Sequence, residues 1–218
     1  MTAYLDSFYH ICSTYLLAFL HPIRIHDYYL YNIPLPGNNP YPEKLDLSSS
    51  LMCSWFCVFF GNILNLFITV IFYFNLIDQG VLSYFSLMGL DESYLVRGLY
   101  FVTFSSLVDV IFFPLFNYLY IEFYTFILKF FAEVLGDVKN KDEKINDIIN
   151  THFSSYLLGI IPVLGKTLYT LYSAVLIYIG IRKQFKAGRL VSFFILFFPV
   201  ILVIFTVLSM LTLLFSLI

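Results

Sequence analysis

Two stretches of this chain, Leu51–Ile77 and Leu190–Ile218, contain no charged residue. A helix needs about 20 apolar residues to cross roughly 30 Å of hydrocarbon, and both stretches exceed that. In lipid the backbone must satisfy its own hydrogen bonds, so such runs fold as helices. Composition points the same way. Of 218 residues, 60% are hydrophobic and 12% charged, with a mean hydropathy of +0.85. Soluble domains carry about 45–50% apolar and about 25% charged residues. Polar surface is too scarce here to cover a globule in water. The sequence predicts an all-α, polytopic integral membrane protein.

Five spans are expected: Leu51–Ile77, Gly98–Phe116, Tyr118–Leu135, Ser155–Ile181 and Leu190–Leu217. Residues 51–218 thus form a five-span domain, and residues 1–50 an N-terminal extension. Asp109 in the second span costs about 3 kcal/mol, but the Leu, Ile, Phe and Val residues around it return roughly 5 kcal/mol. Pro114 and Asn117 mark a break before the third span. That span is the most polar, with Glu122, Thr125, Lys129, Ala132, Glu133 and Gly136 on one helical stripe. The stripe faces protein or water in a spanning helix, or the headgroups if the helix lies on the membrane. Residues 136–152 read as a polar loop.

Ahead of the first span, Leu5, Phe8, Tyr9, Cys12, Leu16 and Phe19 recur at helical spacing. Tyr4–Leu20 is too short and polar to span, so an amphipathic interfacial helix is predicted. Residues 31–46 hold four prolines and a glycine, and read as an extended linker. No cleavable signal is evident, so the first span serves as the insertion signal. Arg182, Lys183, Lys186 and Arg189 form the densest basic loop, which the positive-inside rule places in the cytoplasm together with the N-terminus. Cys12, Cys53 and Cys57 make no disulfide framework. Cys53 and Cys57, one turn apart, read as small apolar residues of a membrane helix.

The run IIPVLGK, residues 160–166, puts a proline, a glycine and a lysine inside an apolar segment. Proline suits the first turn of a helix and harms its middle. One reading starts the fourth helix near Pro162, with 154–161 as an entry turn and Lys166 snorkelling to the interface. The other kinks one continuous helix at Pro162 and buries Lys166 against Asp109, Glu122 or Glu133.

The run SSYLLGIIPVLGKTLYTLYSAVLIYIGIRKQFKAGR, residues 154–189, resembles the Yip domain family of Ypt/Rab-interacting membrane proteins. Pro162, Gly165, Gly180 and the basic loop Arg182–Arg189 carry the resemblance. It implies five spans, a cytoplasmic N-terminus and a role in membrane organisation or trafficking. Eukaryotic members bind small prenylated GTPases and carry an Asp-Leu-Tyr-Gly-Pro element before the first span. The nearest stretch here, HDYYLYNIPLPG at 26–37, lacks it. The pattern is that of a prokaryotic-type member, in a bacterial inner membrane; a eukaryotic one would sit in ER or Golgi membrane.

Chemistry finds little footing. No H-E-x-x-H, G-x-S-x-G or phosphate-binding glycine loop occurs. Asp109 is the only aspartate inside a predicted span. The expected role is therefore non-catalytic and cofactor-free, with membrane lipids, other membrane proteins or a second copy as partners, and no nucleic acid. The competing reading is a transporter or channel lined by Asp109, Glu122, Lys129, Glu133 and Lys166.

Overall fold

The computed structural model describes residues 2–33, 44–78, 92–136 and 138–216. Most of the proline-rich linker, 34–43, and the expected loop at 79–91 lie outside these, as does Leu217. The described residues form helices α1 (Thr2–Leu20), α2 (Pro22–Tyr31), α3 (Leu47–Asp78), α4 (Glu92–Val134), α5 (Lys141–Phe153), α6 (Gly165–Gln184) and α7 (Arg189–Ser216), with a 3-10 turn at Ser154–Ile160 between α5 and α6.

Among the described residues three helices, not five, are long and apolar enough to cross a membrane: Leu47–Asn75, Val96–Val134 and Arg189–Thr212. Two corrections account for the difference. The expected second and third spans are one continuous helix, α4, with Pro114 inside it. A proline there has no N–H for the carbonyl four residues back, which is that of Val110. The indole Nε1 of Trp55 on α3 donates to that carbonyl at 2.9 Å. A neighbouring helix thus re-satisfies the freed group, which is how proline is tolerated within a span. Trp55→Phe keeps an aromatic ring, though a smaller one, and removes the donor. It is expected to cost about 1–3 kcal/mol, read as a lower midpoint of thermal unfolding in detergent, with Phe56→Leu as a milder control.

The expected fourth span divides instead. Its first residues form the 3-10 turn, and α6 begins at Gly165. Between Lys166 and Arg182 the uncharged stretch covers only 167–181, short of the roughly 20 residues a crossing requires.

The polar loop expected at 136–152 is largely helical. Ile145, Ile148 and Ile149 in α5 lie at i, i+3 and i+4 and are buried. Charges at 141–144 mask that stripe in the sequence, while Asp142 and Glu143 in the first turn suit the helix dipole. Around α5 gather the inner faces of α1, α2, α3, α4 and α6, with Phe153 and Ile181 fully buried.

The N-terminal segment is part of this core rather than a separate interfacial helix. Phe8, Tyr9 and Leu16 of the expected apolar stripe are exposed, and Thr14, Tyr15 and Ala18 are buried instead. Small Thr14 and Ala18 allow close approach. The Tyr15 hydroxyl donates to the Phe153 carbonyl and pairs with Ser54 Oγ.

Candidate functional site

A polar cleft lies where α3, α4 and the entry to α6 meet. Gly61 on α3 makes the meeting possible: a Cβ there would stand 2.2 Å from the Gly159 carbonyl oxygen. The turn after Gly159 is strained. Val163 has φ 65°, a left-handed conformation that a β-branched residue adopts at a cost of about 1–3 kcal/mol. Its N–H is held by Asn65 Oδ1 of α3 at 2.7 Å. This turn delivers Lys166 to Asp109 of α4, with Nζ 3.1 Å from Oδ2. Asp109 raises the Lys166 ammonium above its ordinary value, chiefly through that hydrogen bond.

Behind the ion pair is a cavity of about 330 Å³, lined among others by Asn62, Asn117, Tyr156 and Tyr169. The Tyr156 hydroxyl donates to Asn117 Oδ1 at 2.9 Å, and Asn117 Nδ2 donates to the Phe113 carbonyl. Tyr156 and Tyr169 stack with ring centroids 4.7 Å apart. The cavity walls are fixed, while the ion pair at the mouth is open: the side chains are 72% exposed for Lys166 and 44% for Asp109.

The other charges proposed for a pathway lie elsewhere. Lys129 pairs with Asp142 at 2.9 Å, and Glu133 with Lys141 at 2.6 Å. Both partners come from α5, in the segment read as a loop. Glu122 makes no ion pair among the described residues. In the basic loop, Lys183 pairs with Asp27 at 2.7 Å, Arg182 lies over the Tyr178 ring and Lys186 over the Tyr31 ring; Arg189 opens α7. Pro162 sits in the strained turn. Gly165 faces the Leu158 carbonyl oxygen, 2.6 Å from where a Cβ would stand, and Gly180 lies against Ile148 and His26.

All three cysteines converge between α1 and α3. Cys12, Cys53 and Cys57 together line an apolar cavity of about 320 Å³. Periodicity pairs Cys53 with Cys57 but gives no sign of Cys12, which arrives from a distant segment. Among the described residues no group of three or more His, Cys, Asp or Glu side chains is placed to hold a metal ion.

A second polar cluster had no sequence signature. Lys44 reaches Asp147 Oδ1 at 2.9 Å and Glu143 at 2.8 Å. Asp147 also accepts from Gln184 Nε2, which contacts His26 Nδ1. Burial raises the Asp147 carboxyl to about 6 despite Lys44. Burial lowers the His26 imidazole to about 3, beside Asp27 and Lys183, and His152 to about 4. The signs oppose. Between pH 6 and 4 the unfolded chain carries close to two protons on the two histidines, and the folded chain carries about one, on Asp147. The excess of one proton in the unfolded state lowers stability on acidification by about 1.4 kcal/mol per pH unit. Unfolding midpoints across pH 4–6 measure that slope, and Asp147→Asn is expected to steepen it.

Compared with models of known families, with curated proteins and with solved structures, the chain matches none.

Proposed function

We propose that this chain is a non-catalytic membrane scaffold that works through protein or lipid contacts, in the manner its Yip-like segment at 154–189 implies. The observation that carries this reading is the dispersal of the charged residues. A conduction path needs its ionisable groups in sequence along one opening. On α4, Glu122 stands roughly 20 Å and Lys129 roughly 30 Å from Asp109, by helical rise. Lys129 and Glu133 are occupied by α5. Only Asp109 and Lys166 share the cleft.

Three spans also sharpen the orientation. The segments before α3 and between α4 and α7 then share one side, and apart from Lys166 at the cleft they hold Arg24, Lys44, Lys139, Lys141, Lys144, Arg182, Lys183 and Lys186. Residues 79–91 hold no lysine or arginine. The positive-inside rule assigns the first side to the cytoplasm. The scaffold then presents α1, α2, α5 and α6 as a helical cap on the cytoplasmic face.

Affinity purification from native membranes in mild detergent tests the reading. A reproducible stoichiometric membrane partner, absent from an unrelated three-span control, is the expected result. Recovery of the chain alone, together with solute flux in vesicles that Asp109→Asn abolishes, would favour the transporter.

A further inference from the structure

We propose that the cleft of Asp109 and Lys166 binds the headgroup of a zwitterionic phospholipid, with its amine on Asp109 and its phosphate on Lys166. This names a lipid contact that the scaffold reading leaves general, and it rests on that reading for the placement of α3 and α4 in the bilayer.

The site belongs to a span and cannot avoid charge. No stretch of 20 residues within Val96–Val134 is free of both Asp109 and Glu122. An ionised side chain at membrane depth needs a partner or water. Asp109 has one partner, through Oδ2, and its Oδ1 accepts nothing among the described residues. Lys166 carries three N–H donors and uses one on a side chain. The pair is joined, yet neither member is saturated, and both are open at the mouth.

Charge selects the ligand class. A simple anion on Lys166 would meet the Asp109 carboxylate about 3 Å from the same ammonium. A simple cation on Asp109 would meet Lys166. A molecule carrying both charges, a few bonds apart, completes both without opposing either. Asn62 supplies a further acceptor: its Nδ2 donates to the Val58 carbonyl, and its Oδ1 accepts no hydrogen bond among the described residues. A primary amine has the three donors to use Asp109 and Asn62 together.

Shape and surroundings select the source. At about 330 Å³ the cavity is at the small end of ligand sites, suited to a headgroup rather than a whole lipid. Beside it, α3 and α4 expose Leu64, Phe67, Phe112 and Phe116. These flanks are apolar surface for acyl chains, which a soluble zwitterion lacks.

The test is native mass spectrometry of the full chain in detergent. The protein is incubated with equal amounts of phosphatidylethanolamine and phosphatidylglycerol, and separately with soluble glycerophosphoethanolamine. The expected result is preferential retention of phosphatidylethanolamine and little retention of the soluble compound. Asp109→Asn should cut the preference about tenfold, the loss of one hydrogen bond to a charged group, and Lys166→Gln should cut retention of both lipids by about as much. The double exchange Asp109→Lys with Lys166→Asp keeps both charges and should retain much of the preference; Lys129→Gln should leave it intact. Equal retention of phosphatidylglycerol, or unchanged preference in Asp109→Asn, overturns the site. Binding of glycerophosphoethanolamine as strong as that of the lipid overturns the lipid source. These outcomes are separate from partner recovery, so the site can fail while the scaffold stands, and the reverse.

Discussion

Gly61→Ala is expected to destabilise the protein by about 3 kcal/mol, at the upper end of what overpacking costs. The added Cβ would lie 2.2 Å from the Gly159 carbonyl oxygen, 3.0 Å from its carbon and 3.4 Å from the Ile160 Cα. All three are backbone atoms, so no rotamer change relieves the contact. Helix α3 and the 3-10 turn must separate by about an ångström. That movement also draws Asn65 away from the Val163 N–H, which holds the strained turn in place. The effect therefore exceeds a local clash: Lys166 loses its fixed approach to Asp109. Gly98→Ala is the control, because nothing lies within 4 Å of its Cβ position. Unfolding midpoints in detergent should fall sharply for the first and hardly move for the second.

Phe153→Ala is expected to cost about 4 kcal/mol, within the range for a buried phenylalanine. Its side chain is fully buried at the end of α5. The ring lies 4.9 Å from His152 and 6.0 Å from Tyr156, centroid to centroid. Its carbonyl is the acceptor that ties α1, through Tyr15, and α3, through Ser54, to the end of α5. Removing the ring leaves a void at the point where three helices meet, and the hydrogen bonds loosen with it. Phe153→Leu restores most of the volume and should cost well under half as much. Protection of α1 amides from hydrogen exchange should drop in the alanine variant and persist in the leucine one. Equal losses for both would mean that the void is not the cause.

What the sequence revealed and what it concealed follow from the range of each signal. Charge-free length is a local signal, and it locates α3 and α7 well. Pro162 is also local: the helix does begin just after it, at Gly165. Pro114 misleads because the group that rescues its helix, Trp55, lies on another helix. The amphipathic stripe of the first segment misleads for a related reason. Periodicity ranks faces by apolarity, but α1 packs through Thr14, Tyr15 and Ala18, where closeness and a hydroxyl outweigh apolar area. The isoleucines of α5 were concealed by the charges beside them. For the site, Asp109 and Lys166 were legible as charges out of place in apolar segments. Their meeting depends on Gly61 and Gly159 approaching across two elements, which no spacing encodes. The cluster of His26, Asp147 and Gln184 draws on three helices and left no trace in any one of them.

The central claim is a three-helix crossing with α5 and α6 on the same side as the N-terminus. Single cysteines at Ser83, Lys139 and Gly188, in a background without native cysteines, test it most directly. Lys139 and Gly188 are exposed in the described structure, and Ser83 stands in the sequence between α3 and α4. Each variant is labelled in oriented membranes with an impermeant maleimide. The account predicts that positions 139 and 188 label from one side, the cytoplasmic one, and position 83 from the other. Labelling of 139 and 188 from opposite sides would carry α6 across the membrane and contradict the account.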